Sequence, residues 1–397
     1  MSRALDDVVV VDLTTEFFAS VSAALLADFG AKVIRVENTG VPAPVKNRDG
    51  MHPQEAWDSH AELAHRNKQS VALNLEVPAG DEVLKKLIGR ADIVITDLPF
   101  TTLEAKGLDY DSLCSLRSDI ILARGSGFGP KGPDSHLPAI DELAAARVGL
   151  MSILGEPGQP PVYSGTGQMH TAVMLAFGIM LAMVHREESG EGQVVDASLF
   201  AGNMYAASLD LQAYLAVRAE RILEPVSRLD MGNPMSGPSY PCSDGRWVTL
   251  AMPDTDRWWP IFSQITGLAI DDVRFDTHDN RCDVNRLEMM QVLDGIFSKQ
   301  PGSHWERLFA EHKVSADLIE TYAFPAKDEQ AKVNRYVLDL DHPTYGKTQS
   351  LGFPIYLSDN PARLRRMAPC RGQHTEEILQ DFLGLSEQQV ADVEGQG

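Results

Sequence analysis

Cysteine is scarce. Cys114, Cys242, Cys282 and Cys370 are the only four in 397 residues, far apart and without a C-x-x-C pair. That spacing argues against a disulfide framework or a zinc site and predicts free thiols in a reducing, cytoplasmic compartment. No metal is expected. Positive charge is also short: 35 Lys and Arg stand against 56 Asp and Glu, a formal net charge of −21. Nucleic acid and anionic membranes both need basic protein surface, so neither is expected as a partner. The apolar run 174–184 is shorter than the about 20 residues that cross a bilayer. The opening MSRALDDVVVVDLT enters a strand at once and carries no signal-peptide pattern. A G-x-G-x-x-G fingerprint is missing after that first strand, so no dinucleotide cofactor is inferred.

What remains is ordinary for a globular chain: 44% apolar and 23% charged residues, enough for one large or two medium domains at roughly 100–200 residues each. The β-branched run at 8–11 reads as a strand buried on both faces. A helix to Asp28, a Gly30-Ala31 stop and the strand KVIRVE follow, making a βαβ unit. Residues 38–61 read as a Pro/Gly-rich loop. Strands at 71–75, 91–96 and 120–123 alternate with helical stretches at 78–88 and 103–116. Strand and helix alternation predicts an α/β fold with a doubly wound parallel sheet. Residues 171–184 form an almost wholly apolar helix with small residues at Ala172, Ala176, Gly178 and Ala182. A charged HREE run and Ser189-Gly190 stop it, and 194–198 returns to strand. A long helix is expected from Phe200 to about Glu220, and a hairpin turning at Asp244-Gly245. The mainly helical stretch 256–310 belongs to a smaller α+β domain. The expected division is a large domain at 1–200, a linker helix at 201–227, a small domain at 228–330, and a segment 331–397 returning to the large domain.

The pattern VVVVDLT…LLADFGAKVIRVE, and the buried helix ending in HRE-x-x-G-x-GQ before a strand, resemble the class III CoA-transferases. That family includes formyl-CoA transferase, carnitine CoA-transferase and the 2-methylacyl-CoA racemases. The likeness extends over nearly the whole chain. It implies that the C-terminal segment completes the first domain and that two subunits thread through each other as interlocked rings. It also implies a covalent route with coenzyme A thioester as substrate and no separate cofactor. An aspartate just before the apolar helix attacks the acyl-CoA; CoA then returns to form an aspartyl thioester, and an incoming carboxylic acid takes the CoA.

Counted back from His185-Arg186-Glu187 without a gap, that aspartate's position holds Gln168. A neutral amide is a poor nucleophile, so Gln168 either positions substrate by hydrogen bonds or marks a site without its own nucleophile. Asp141 falls in another stretch shared with the family, but the histidine that precedes its equivalent in racemases is Ile140 here. The family's small A-G-P turn beside the CoA reads Phe18-Ala19-Ser20. An arginine that commonly meets the CoA phosphates is Asn38, the E-N-F-x-P-G segment runs from Thr96 through Asp97 to Thr101, and a further basic position is Ala105, next to Lys106. Arg66, Lys68, Arg124 and Lys131 are the retained basic candidates, each a phosphate ligand or an ordinary solvated charge. His170 is a substrate-contact or structural candidate. Gly232 and Gly237 are possible hinges of a covering loop or parts of a domain linker.

Three functions fit these residues. One is an active CoA-transferase on organic acids with an altered site. Another is a non-catalytic subunit whose paralogous partner supplies the aspartate, as in two-gene members such as succinyl-CoA:benzylsuccinate CoA-transferase. The last is a racemase-like or acyl-CoA-binding protein.

Overall fold

The structure is a computed structural model that describes residues 3–41, 58–218, 220, 223–343 and 345–395. Most of the loop expected at 38–61 lies outside the described residues. The chain divides into two compact units, one of residues 1–151, 163–218 and 330–397, the other of 152–162 and 219–329.

The first unit is built on a six-stranded, all-parallel sheet. Its elements run β1 (Val9–Asp12), α1 (Phe17–Asp28), β2 (Lys32–Asn38), α2 (Ser59–His65), β3 (Gln69–Leu73), α3 (Pro78–Ile88), β4 (Ile93–Thr96), α4 (Phe100–Lys106), α5 (Tyr110–Leu116), β5 (Ile121–Ser126), α6 (Asp141–Val148), α7 (Leu150–Ile153), α8 (Thr166–Ser189), β6 (Val194–Ser198), α9 (Leu199–Ala206) and α10 (Ser208–Val217). Strand order is β3-β2-β1-β4-β5-β6, with Val11 opposite both Ile34 and Val94. The period-2 alternation of a strand sends neighbouring side chains to opposite faces. Val11, Ile34 and Val94 accordingly enter one core with Leu84, Leu87 and Leu113 of α3 and α5. Val10, Val33, Ile93 and Ile95 enter the other, against Leu26 of α1 and Leu175 and Ile179 of α8. Ile378, Leu379 and Val390, from the end of the chain, complete the first of these cores.

Helix α8 starts at Thr166, five residues earlier than its apolar pattern suggests. Gly165 (φ 69°) and Gly190 (φ 75°) close its two ends in the left-handed region that glycine adopts without strain. It is 24 residues long and an 18-residue stretch of it has a mean hydropathy of 1.6, the length and composition of a membrane span, so the length argument drawn from 174–184 does not hold. Packing replaces it: Thr171, Ala172, Leu175 and Ile179 are buried against the fold's own elements. Met169, Val173, Phe177 and Leu181, spaced four apart, form an exposed apolar ridge along the same helix. The single long helix expected after Phe200 is instead two, α9 and α10, separated at Ala207.

The second unit holds β7 (Ser236–Pro241), β8 (Trp247–Ala251), α11 (Thr255–Thr266), α12 (Arg286–Phe297), α13 (Gly302–His312) and β9 (Ala316–Ile319). The strands form an antiparallel sheet in the order β7-β8-β9. The β7–β8 turn falls at Asp244-Gly245, where Gly245 takes φ 81°. Gly232 and Gly237 do not bracket an open loop. Gly237 sits within β7 at a register shift, and Arg228 ties the segment down by pairing with Asp294 at 2.6 Å and donating to the Ser239 carbonyl at 3.1 Å. In the first unit, β10 (Val337–His342) and β11 (Gly346–Leu351) make a further hairpin.

Candidate active site

The carboxyl ends of parallel strands, where the order reverses between β1 and β4, are where open α/β sheets bind ligands. Here that edge is occupied by the chain's own carboxylates. Asp97, just past β4, accepts the Thr15 backbone N–H at 2.6 Å, the Thr15 hydroxyl at 3.0 Å and the Glu16 N–H at 2.5 Å. Such N–H groups at a helix entrance are a ready anion site. Burial nonetheless pushes the Asp97 carboxyl above its usual range, against the pull of those three bonds. Asp12, at the end of β1, is fully buried and accepts the Thr14 N–H and hydroxyl at 2.9 and 2.6 Å.

Beside this edge lies a pocket of about 260 Å³ whose wall includes Glu16, Phe18, Ile140, Asp141, Glu142, Tyr163 and Gln168. Gln168 is half-buried in the first turn of α8. Asp141, at the start of α6, is buried with both carboxylate oxygens engaged: Tyr163 Oη donates at 2.6 Å and Asn203 Nδ2 at 2.8 Å. Burial and the Asp141 hydrogen bond push the Tyr163 phenol up to about 12, with Gln168 acting in the opposite sense. Tyr163 is therefore a neutral hydrogen-bond donor near neutral pH. Glu16 is raised as well, by burial first and then by Asp97. Among the described residues, no basic side chain lines the pocket.

Gly167 lets this assembly close. A Cβ there would lie 2.2 Å from Asn203 Nδ2 and 2.4 Å from Asp141 Oδ1. Gly167→Ala is expected to lower stability by about 1–3 kcal/mol through overpacking. It should also break the Asp141–Asn203 bond. Urea unfolding compared with that of Asn203→Ala, which removes the same bond without the clash, checks this: equal losses would show that the methyl group meets no resistance.

Three of the four basic candidates are placed differently from either expectation. Arg66, Lys68 and Arg124 are buried and internally paired, which corrects both the solvated-charge and the phosphate-ligand assignments for this conformation. Arg66 pairs with Asp28 at 2.7 Å and donates to the Gly352 carbonyl, so it ties α1 to the returning C-terminal segment. Lys68 pairs with Asp12 at 2.6 Å. Arg124 pairs with Asp196 at 2.7 Å and stacks 3.7 Å above the centre of the Phe100 ring, with Nη2 lacking a hydrogen-bond partner among the described residues. Lys131 alone is exposed. Asn38 is held within the fold, accepting the Gly40 and Leu75 N–H groups at 3.0 Å and donating to Glu76, which Lys106 also meets at 3.2 Å. His170 is exposed, its Nδ1 3.0 Å from the Thr166 carbonyl, and it does not line the pocket. Phe18 and Ala19 are buried, and Phe18 forms part of the pocket wall.

Three polar residues of the pocket wall escaped the sequence, Glu16, Glu142 and Tyr163, together with Asn203, which bonds Asp141 without lining the pocket. Glu142 adjoins Asp141 and Glu16 lies two residues before Phe18, and their helix-start placement was the available signal. Tyr163 and Asn203 reach Asp141 from 22 and 62 residues away, and no local pattern marks them.

The chain is similar to known proteins along nearly its whole length. A succinyl-CoA–D-citramalate CoA-transferase of Chloroflexus aurantiacus is 29% identical, over 98% of this chain and 96% of that one. A succinyl-CoA–L-malate CoA-transferase beta subunit from the same organism is also 29% identical, over 97% and 95%. A formyl-CoA:oxalate CoA-transferase of Rhodopseudomonas palustris is 28% identical, over 100% and 97%. Among solved structures, a CAIB/BAIF family protein from Brucella suis superposes with a TM-score of 0.81 at 26% identity, covering 96% of this chain and all of that one. With residues 5–375 matching the profile of CoA-transferase family III, the chain belongs to that family of CoA-transferases.

Proposed function

We propose that this chain is a cytoplasmic subunit of a class III CoA-transferase that moves CoA between an acyl-CoA and an organic carboxylic or dicarboxylic acid. A paralogous partner chain supplies the carboxylate nucleophile. The observation that carries this is the state of the pocket around Gln168. The side chain there is an amide, and the buried carboxylate on the same wall, Asp141, has both oxygens bonded to Tyr163 and Asn203. Attack on a thioester needs a free carboxylate. The Gln168 amide is suited to hydrogen-bonding a thioester carbonyl or an acid instead. A relative named as a beta subunit gives the two-chain arrangement a precedent. The apolar ridge of Met169, Val173, Phe177 and Leu181, with Leu209 and Val217 exposed on α10, supplies surface for such a pairing. We expect an interface above about 2,000 Å², and sedimentation as a monomer at micromolar concentration would count against it. Racemase chemistry has less support, because Ile140 stands in the pocket wall where a base would be needed.

A second assignment has its own support. The Glu16 carboxylate makes no hydrogen bond or ion pair among the described residues, and it lines the same pocket. As a nucleophile it would attack the thioester carbonyl, forming a glutamyl–acyl anhydride and releasing CoA thiolate. The thiolate would then return to the glutamyl carbonyl and expel the donor acid. Hydroxylamine trapping after incubation with succinyl-CoA separates the two assignments. The subunit assignment expects no adduct on this chain alone, and an adduct on the aspartate of the partner when both chains are present. An adduct on Glu16 of the lone chain would reject it in favour of a self-sufficient enzyme.

A further inference from the structure

The amino edge of the sheet, opposite the candidate active site, carries a cavity of about 490 Å³ at the starts of β2 and β3 and the segment 365–377. That volume falls within the roughly 300–1,000 Å³ of small-ligand pockets. In a chain of net charge −21, its wall is basic: Arg3, Lys32, Arg365 and Arg366 against Asp6 and Glu377.

Both acids are engaged locally. Asp6 takes the Arg3 backbone N–H at 3.1 Å and pairs with the Arg3 guanidinium. Glu377 accepts the Gln69 amide at 2.7 Å. Arg365 is occupied as well, donating to the Ala27 carbonyl at 2.6 Å at the end of α1. Two cations make no ion pair among the described residues. Lys32 Nζ lies 4.1 Å from the centre of the Phe382 ring, with no carboxylate in ion-pair range among the described residues. The Arg366 guanidinium has no hydrogen-bond or ion-pair partner among the described residues; only its backbone is held, by Asn67. Burial draws Lys32 below its usual range, Glu377 and Asp381 pull it back, and Arg366 adds to the fall. Arg365 is likewise lowered by burial, then by Arg3, with Arg366 contributing and Asp28 and Asp6 opposing.

We propose that this cavity binds a compact polyanion, phosphoryl or polycarboxylate, through Lys32 and Arg366. A neighbouring anion would relieve the repulsion between these cations, and a guanidinium together with an ammonium suits a ligand with two or more negative oxygens. Asn67, in the same wall, also holds the backbone N–H groups of Arg365 and Arg366 at 2.6 and 3.1 Å and donates to Asp28 at 2.7 Å. A bound anion would therefore brace the joint between α1 and the returning C-terminal segment. The site requires nothing of the Gln168 pocket, so its presence does not depend on the function proposed above.

Calorimetric titration of the full chain at low ionic strength tests it, with sodium pyrophosphate in one arm and citrate in the other. The wild type is expected to bind at least one of them, and the preferred arm identifies the class. Lys32→Met/Arg366→Met should bind at least about tenfold more weakly, the loss of one charge-assisted contact or more. Arg366→Lys should recover part of that. Arg366 is exposed, so Arg366→Gln alone carries the test if the double variant does not fold. Absence of binding to both anions in the wild type would overturn the proposal. So would equal affinity in the wild type and in the charge-removing variants.

Discussion

Lys68→Ala is expected to destabilise the protein by roughly 3–5 kcal/mol, the loss seen when one partner of a buried ion pair is removed. Lys68 and Asp12 are both fully buried, and Nζ lies 2.6 Å from the Asp12 carboxylate and 2.8 Å from the Ser20 carbonyl. Without the ammonium, Asp12 keeps only the two bonds from Thr14 to offset a charge deep in the fold. The cost comes from this uncompensated charge more than from the lost attraction. Asp12→Leu/Lys68→Met should therefore recover part of the stability that Lys68→Ala loses. A phosphate ligand would behave in the opposite way, with stability kept and acyl-CoA affinity reduced. Urea midpoints measured beside an acyl-CoA titration decide between them. An unchanged midpoint with weakened CoA binding would return Lys68 to the ligand set.

Lys68 also shows where a single sequence stops being informative. A lysine is read as a surface charge by default, because burial without a partner is prohibitive. Its partner, Asp12, stands 56 residues earlier, and the two meet only once the sheet has formed. Arg124 and Asp196 repeat the pattern across 72 residues, on the adjacent strands β5 and β6. The sheet itself was legible because strands buried on both faces must be apolar at successive positions, as at Val10-Val11 and Ile93-Val94-Ile95. The Asp244-Gly245 hairpin was legible because its turn requires a positive φ, which glycine supplies. The start of α8 was not. Gly165 is a left-handed cap and Gly167 a point of close approach to Asp141 and Asn203, and neither adds to the apolar pattern that marks the helix. The β10–β11 hairpin also went unread: neither strand has a fully buried residue, so no apolar face announces it.

Gly125 and Phe18 should behave as one unit. A Cβ at Gly125 would sit 2.7 and 2.9 Å from two carbons of the Phe18 ring and 3.0 Å from the Ala19 Cβ. The ring is only 1% exposed and has little room to retreat. Gly125→Val alone should cost about 1–3 kcal/mol by overpacking. Phe18→Ala alone should cost about 3–5 kcal/mol through lost burial and the cavity left behind. Combined, the valine side chain enters the space the ring vacates. The loss should then fall short of the sum by at least about 1 kcal/mol, the coupling expected of residues in contact. Urea unfolding of the three variants measures it, and strict additivity would show that the two positions do not share space. The same set probes the site, because Phe18 forms part of the wall of the Gln168 pocket. Its ring stands where the resemblance places a turn of small residues beside CoA. Removing it alone, in Phe18→Ala, is expected to raise the affinity of the isolated chain for acyl-CoA, and the double variant, whose valine refills the space, should lose that gain. Equal affinity in Phe18→Ala and the wild type would mean that the Phe18 ring does not obstruct CoA.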